Sequence, residues 1–465
     1  MGILRQAQDL TRTILHIDFD SFFASVEQQH DPSLRDKPMG VTATNGRTCI
    51  IASSREAKKL GIGTASRTYE AIKICPELKL VPADFVKYYE VSKKFLNICK
   101  DYSLTVELFS IDEVFMDITS TIHLFGGTYS LVSKIKQRIK DEIGEFITAS
   151  VGISYNKLLA KMASGLAKPA CRQAGPNARP LTPEPARQAR QVVADGRSDG
   201  ERGVFEIKFE ELDKVYSSVD LMAVCGIGER IKDRLSKIGV FSLLDIRNKS
   251  DNALVSEFGK EEAKFLRNVS FGFDDSDVIP YTQAPDVRSV GRNYCLPKNE
   301  YDKRIVLQNV YELWEEICIK LRRLNKKAKT LGFSLRGNVN IHNRKTYNFY
   351  FDDAQEIFNL FKSLISDDEK NLNLKDTYIR QISVWVGSLE ENDNLTMSLF
   401  ETDIRKDKLT STVDKINNRF GDHTIRNGFL LYSEKLTTKP NGYMADKYER
   451  IKLSQESVAH LAEKV

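Results

Sequence analysis

Two adjacent acids, Asp112 and Glu113, interrupt an otherwise apolar, strand-like run over residues 108–116. A second acidic strand end, His16-Ile17-Asp18-Phe19-Asp20, stands far upstream. Carboxylates beside β-branched and aromatic residues are costly unless positive charge neutralises them. Three carboxylates (Asp18, Asp112 and Glu113) converging from two strand ends form an all-oxygen donor set, which suits hard cations such as magnesium. Two such ions a few ångströms apart would stabilise the attacking and leaving oxygens of an in-line phosphoryl displacement. The chemistry this pattern predicts is nucleotidyl transfer.

A chain of 465 residues has room for about three domains. Its net charge of +5 decides nothing about nucleic acid until the charges are located. The seven cysteines are odd in number and form no Cys-x-x-Cys pair, so they read as reduced thiols rather than a zinc site or a disulfide frame. The amino terminus lacks a signal-peptide core and no apolar run is long enough to cross a bilayer. The expectation is a soluble, cytoplasmic monomer with no membrane contact.

Residues 13–17 form a buried-strand pattern, and 21–28 have helical spacing that stops at Asp31-Pro32. Short strands are expected at 39–43 and 49–52. A helix then opens on Ser53 in the Ser-x-x-Glu capping pattern with Glu56, and Gly61 closes it. An amphipathic helix over 85–99 carries Tyr88, Val91, Phe95 and Leu96 on one face. A further helix is expected near 128–145 and a strand over 149–153. Strands and helices alternate irregularly, which predicts an α+β, multidomain protein rather than a doubly wound sheet.

Four of these segments share a resemblance. Ile17-Asp18-Phe19-Asp20-Ser21-Phe22-Phe23-Ala24-Ser25-Val26-Glu27, Glu56-Ala57-Lys58-Lys59-Leu60-Gly61-Ile62, Ser110-Ile111-Asp112-Glu113 and Val151-Gly152-Ile153-Ser154-Tyr155-Asn156-Lys157-Leu158-Leu159-Ala160-Lys161-Met162-Ala163-Ser164 occur in that order. Together they resemble the Y-family translesion DNA polymerases, closest to the bacterial polymerase IV type. The resemblance implies a right-hand polymerase: palm (1–33 and 85–169), small fingers (34–84), a helical thumb (203–285), a little-finger α/β domain (286–390) and a tail (391–465). It implies low-fidelity, template-directed synthesis opposite damaged or undamaged DNA, without proofreading. Its ligands would be primer-template DNA, deoxynucleoside triphosphates and two magnesium ions.

Carried over residue by residue, the resemblance makes Asp18, Asp112 and Glu113 the metal-holding acids, with the Phe19 carbonyl adding an oxygen. Asp20 reads as the cap of the following helix, and Asp117 as structural. Phe23 stands at the family's steric gate, where a flat ring under the sugar excludes a 2′-hydroxyl; Phe22 beside it fits a core role. Phe22, Phe23, Arg55, Lys58 and Lys168 would line the incoming nucleotide, the three cations meeting the triphosphate. The chain departs from the family here, with Arg55 where Tyr is usual and Lys58 where Arg is usual. A cation is kept, but a planar fork and a phenol are lost.

A second departure follows Lys168-Pro169. The segment 170–202 is rich in Ala, Arg, Gln and Pro and has no lysine or aromatic, which reads as a disordered surface insert. Beyond it, residues 224–240 read as a helix–hairpin–helix in which Gly226 and Gly228 let backbone amides approach a phosphate. Arg288-Ser289-Val290-Gly291-Arg292 is similar to the opening strand of the little finger. From 317 to 351 no acid occurs while nine cations accumulate, Lys329 and Arg336 among strand residues. A one-signed run of this kind grips a DNA backbone. Leu395, Met397, Leu399 and Phe400 resemble a sliding-clamp peptide, with Thr396 where Gln is usual. Two other readings compete with a self-sufficient polymerase: a catalytic subunit that needs partners, and a DNA-binding scaffold without chemistry.

Overall fold

The computed structural model describes residues 11–43, 49–168, 203–283, 286–366, 377–396, 400–421 and 424–431. The insert over 170–202, the tail beyond 431, and Met397 and Leu399 of the expected clamp peptide lie outside the described residues. Contacts divide the chain into two units, one holding the described residues up to 283 and one those from 286 onward.

The first unit runs β1 (Ile14–Phe19), α1 (Phe22–His30), β2 (Met39–Thr42), β3 (Ile50–Ser53), α2 (Arg55–Lys59), α3 (Thr68–Ile74), β4 (Lys79–Pro82) and α4 (Phe85–Lys100). It continues with β5 (Thr105–Leu108), β6 (Glu113–Asp117), α5 (Thr128–Arg138), β7 (Ala149–Ser154), α6 (Lys157–Ala167) and β8 (Val204–Glu206). Helices α7 (Leu212–Ser218), α8 (Glu229–Lys237), α9 (Leu243–Asn248), α10 (Asp251–Phe258) and α11 (Lys260–Ser270) complete it. The main sheet has the order β5-β6-β1-β7-β8, and β2 and its neighbours make a small sheet ordered β3-β2-β4.

Strand β1 is central because its side chains are apolar on both faces: Ile14, Leu15, Ile17 and Phe19 are all buried. It pairs antiparallel with β6 on one side and β7 on the other. Asp18 thereby faces Glu113 across one pairing and Ser150 across the other. Helix α6 lies on β7, and its side chains Leu159, Met162, Ala163 and Leu166 share one core with Leu212, Tyr216, Leu235, Leu243 and Leu266 of the helical segment.

Two local expectations are corrected. The cap of α2 is Ser54, whose hydroxyl accepts from the Ala57 amide at 3.2 Å, and Ser53 instead ends β3. The helix expected over 128–145 keeps α geometry only to Arg138; a single wide π turn over Ile139–Ile143 ends it at Gly144.

The second unit is one antiparallel sheet ordered β11-β10-β12-β9 with helices on one face. Its elements are β9 (Ser289–Glu300), α12 (Lys303–Arg323), β10 (Lys326–Gly337), β11 (Asn340–Phe351), α13 (Ala354–Ser366), β12 (Ile379–Glu391) and α14 (Glu401–Phe420). Strand residues Val290, Leu331, Phe333, Leu335, Ile382, Val384 and Val386 are buried, as are Trp314, Ile317 and Leu321 of α12 and Phe361 of α13. The Phe333 and Phe361 rings meet edge to face at 4.8 Å.

The acid-free run is not an acid-free surface. Arg322 donates to both carboxylate oxygens of Asp414, at 2.6 and 2.8 Å, which ties α14 to α12. Lys326 pairs with Asp286 at 2.7 Å and Lys327 with Asp352 at 3.7 Å. Acids outside the run thus pair with three of its nine cations, and the stretch read as the start of a tail is a docked helix.

One half-buried acid should give this unit a pH dependence. Burial on α12 pushes Glu315 up from 4.5 to about 7, against the opposing charge of Arg426 and with Glu312 adding to the rise. The folded unit therefore holds a proton that the unfolded chain releases above pH 4.5. That contribution is complete below 4.5 and is lost as pH rises through about 7, a window worth about 3 kcal/mol at most. Denaturant unfolding at pH 5 and pH 8 should show the wild type losing stability across the interval and Glu315→Gln losing less. Equal losses in both would mean that Glu315 is not the group responsible.

Candidate active site

The acids sit where β1 and the β5–β6 hairpin end together. The amide of Phe19 donates to the Asp112 carbonyl at 3.0 Å, and that of Asp20 to the Thr148 carbonyl at 2.8 Å, so the end of β1 is clamped between two neighbouring turns. Ser21 then takes the left-handed conformation, φ 53°, that turns the chain into α1.

Alternation along β1 points His16 and Asp18 toward α6. His16 is fully buried, with Nδ1 2.7 Å from Ser164 Oγ on α6 and Nε2 donating to Glu113 Oε2 at 3.0 Å. Burial, opposed in part by Glu113, lowers the His16 pKa, which keeps the ring neutral. Lys161, also on α6, contacts the same Glu113 oxygen. Burial would raise Glu113, but the His16 hydrogen bond and the Lys161 charge outweigh it and hold the group at about 2.

Lys168 Nζ, just past α6, lies 2.7 Å from Asp18 Oδ1. Burial nonetheless pushes Asp18 up to about 7, with Asp112 and Glu113 adding to the rise and Lys168 opposing it. Asp112 is raised as well, first by burial and then by Glu113, against a hydrogen bond from Ser110. Among the described residues, no three His, Cys, Asp or Glu side chains are gathered into a metal cage. Lysines hold two of the acids instead. The donor set still fits hard cations: three carboxylates at facing strand ends, two of them pushed above the usual carboxylate range by burial and by their neighbours' charge.

Asp20 is not a helix cap. Its carboxylate accepts from Thr148 Oγ1 and Ser150 Oγ, both at 2.7 Å, and pairs with Arg55 at 3.4 Å. It locks β1 to β7 and seats Arg55, which also contacts Thr148. Lys58 Nζ donates to Ser21 Oγ at 2.6 Å. Arg55, Lys58 and Lys168 thus all reach the segment Asp18–Ser21. Asp117 is structural as expected, bound by Arg12 and by Thr119.

Phe22 is a core residue, buried and stacked on Phe19 at 5.3 Å. Phe23 is half-buried and stacks on Tyr88 at 4.3 Å and 18°. Tyr88 is fixed in turn by donating to Glu27 Oε1 at 2.6 Å. The ring of Phe23 is therefore held in one plane.

The sequence matches the impB/mucB/samB family over residues 17–165 and that family's C-terminal domain over 287–399. It is 30% identical over 446 residues to the DNA polymerase IV of Acetivibrio thermocellus, covering 92% of this chain and 99% of that one. The chain belongs to the Y-family DNA polymerases of the polymerase IV type. The DNA polymerase IV of Clostridium perfringens (strain 13) is likewise 30% identical, over 82% of this chain and 95% of that one. The fold is that of a solved Y-family DNA polymerase chimera, Dbh-Dpo4(243-245)-Dbh, at a TM-score of 0.61 and 23% identity, covering 81% of this chain and 98% of that one.

The remaining candidate residues fall on other elements of this polymerase. Gly226 has φ 108°, a conformation that favours glycine, and a Cβ there would also meet the far edge of the Phe265 ring at 2.8 Å. Gly228 is the N-cap of α8 and has open space around it. In the second unit, Arg288 and Ser289 are exposed at the start of β9, and Arg336 is exposed near the end of β10. Lys329 lies 5.3 Å from the Tyr350 ring centre. Arg292 is turned to α12, where it pairs with Glu316 at 3.0 Å, and so is not an open-face cation. Of the clamp peptide, Leu395 follows a short 3-10 turn and Phe400 is exposed at the start of α14.

His16, Lys161 and Ser164 stand within the sequence motifs, but the sequence reading gave them no role. One signal was available: Lys157 and Lys161 are four apart, so they share a helix face. Buried His16, two residues from Asp18 on an alternating strand, shares its face.

Proposed function

We propose that this protein is a template-directed DNA polymerase that copies both damaged and undamaged template, and that Asp18, Asp112 and Glu113 form its catalytic centre. The observation that carries this is the placement of three cations beside the acids at the end of β1: Lys168 on Asp18, Arg55 on Asp20 and Lys58 on Ser21. Acids and cations would face one another across a bound triphosphate.

The primer 3′-hydroxyl would attack the α-phosphorus of the incoming deoxynucleotide. A new O–P bond forms, the bond to the bridging oxygen breaks, the hydroxyl proton departs and pyrophosphate leaves. The enzyme depends on divalent metal; two magnesium ions held by Asp18, Asp112, Glu113 and the Phe19 carbonyl would supply the charge that stabilises attacking and leaving oxygens. Lys168 and Lys161, now on those acids, would yield them to the ions; Lys168 would then move to the triphosphate with Arg55 and Lys58. His16 would keep Glu113 oriented.

The five-stranded sheet is read as the palm, 34–84 as fingers, 203–285 as thumb and 286–390 as little finger, with the segment through Phe400 as a peptide for a sliding clamp. The partners are primer-template DNA and deoxynucleotides, and the chain acts as a monomer. No described helix is long and apolar enough to cross a membrane.

The test is extension of a labelled primer on undamaged and abasic templates with magnesium. Extension on both supports the proposal; none, with DNA binding retained, points to a partner-dependent subunit or a scaffold. Phe23 has its own prediction. Replacing it by Ala removes the ring that Tyr88 holds in place, and ribonucleotide insertion relative to deoxyribonucleotide should rise on the order of tenfold or more. An unchanged ratio in competition assays would remove Phe23 from the gate.

A further inference from the structure

Glu113 is held from behind by a chain of two hydrogen bonds. It runs from Ser164 on α6 through the His16 ring on β1 to Glu113 Oε2, at 2.7 and 3.0 Å. Ser164 and His16 are 1% and 0% exposed, so bulk water does not compete for either. The ring is also caged. Phe115, its neighbour on β6, lies 4.5 Å away at a tilt of 54°. Gly152 opposite it on β7 lets the α6 backbone come down at Ser164.

Counting protons decides which way each bond points. An ionised Glu113 only accepts, so the proton between it and His16 belongs to Nε2. A ring buried beside the lysine that shares this oxygen stays neutral and carries that one proton. Nδ1 is then a bare acceptor, and the donor it meets is the Ser164 hydroxyl. That hydroxyl has a rival acceptor in the Lys161 carbonyl, 2.9 Å away in the preceding turn. Bonding there would leave Nδ1 unpaired inside the protein, which is costly. The same count fixes the far end. His16 and Lys161 both meet Oε2, and no hydrogen bond among the described residues falls on Oε1.

We propose that Ser164 is a positioning residue for nucleotidyl transfer: its hydroxyl holds His16 in the Nε2–H form, which pins Glu113 Oε2 and leaves Oε1 as the oxygen presented to a divalent cation. The proposal rests on the reading of Glu113 as a catalytic acid and adds the group that orients it through His16. Partners behind a ligating side chain typically set metal affinity or activity by about ten- to a hundredfold.

The competing role is packing alone, with Ser164 a small residue that fits α6 against β7. Two measurements separate the roles. The first is the nitrogen spectrum of the full chain labelled with 15N-histidine and kept free of divalent metal. The chain has six histidines, and the His16 ring signals are those lost in His16→Gln. Nε2 should be protonated and Nδ1 bare; a protonated Nδ1 overturns the proposal whatever the activity. The second is primer extension against magnesium concentration. Ser164→Ala should raise the half-saturating magnesium about tenfold and change the rate at saturating magnesium far less. In a His16→Gln background the same substitution should add nothing, because Ser164 acts through the ring. Unchanged magnesium dependence in Ser164→Ala, or an equal shift in both backgrounds, overturns the positioning role. Failure of the wild type to extend on any template would instead count against the polymerase reading, and the ring signals would still report the hydrogen bonds. If Ser164→Ala does not fold, the wild-type spectrum decides.

Discussion

Replacing both Asp112 and Glu113 by their amides should lower primer extension by at least about a thousandfold, because carboxylates that act as a unit lose nearly everything together. The amides keep the shape of the turn. In Glu113→Gln the amide oxygen would still accept from His16, so the hydrogen bond that seats this side chain beside α6 survives. Stability should fall far less than activity, because the Lys161 ion pair lost at Glu113 is offset by relief at Asp112. Burial and the Glu113 charge raise the Asp112 pKa and so disfavour its ionised form, and removing the charge relieves that. Single-turnover extension and thermal unfolding of the same preparation test both halves. Extension within about tenfold of the wild type would mean that the chemistry lies elsewhere. A collapse of the unfolding temperature would make the acids structural.

The site's acids were legible in the sequence because a charge inside an apolar strand is an expense that only function or a partner explains. Asp18, Asp112 and Glu113 each stand out in that way, and the register of β1 with β6 brings Asp18 opposite Glu113. What holds those acids was not legible. Lys161, Lys168 and His16 come together only when α6 folds back on β7, a contact set by tertiary packing. Asp20 misled for a related reason. An acid just before a helix is usually its cap, but Ser21 adopts a left-handed turn and leaves the carboxylate to Thr148 and Ser150, far along the chain. In the second unit the acid-free run from 317 to 351 was real in sequence, yet Asp286, Asp352 and Asp414 return to it in space. Strand alternation, not the count of lysines, leaves Arg336 and Arg344 on the open face. Helix α14 was missed because its pattern is weakly amphipathic and its anchor is the Arg322–Asp414 pair, which no local pattern announces.

Gly152 is where sequence, packing and chemistry depend on a single missing side chain. It lies in β7 opposite His16, beneath α6. A Cβ there would stand 2.0 Å from the Ala160 carbonyl oxygen and 2.2 Å from the Ser164 amide nitrogen. Both are helix backbone, so no rotamer change relieves the clash and α6 as a whole must move. That helix carries Lys161 to Glu113 and Ser164 to His16, and Lys168 follows it to Asp18. Gly152→Val should therefore cost more than the ordinary 1–3 kcal/mol of an overpacked core, about 4 kcal/mol or the loss of soluble protein. Gly165 is the control. It is exposed on the same helix, with nothing within 4 Å of its missing Cβ, so Gly165→Ala should stabilise by about 0.5–1 kcal/mol through helix propensity. Denaturant unfolding of the two variants should move the midpoint in opposite directions. A Gly152→Val protein as stable as the wild type would mean that α6 does not rest on β7 as described, and the lysine seats of Glu113 and Asp18 would fall with it.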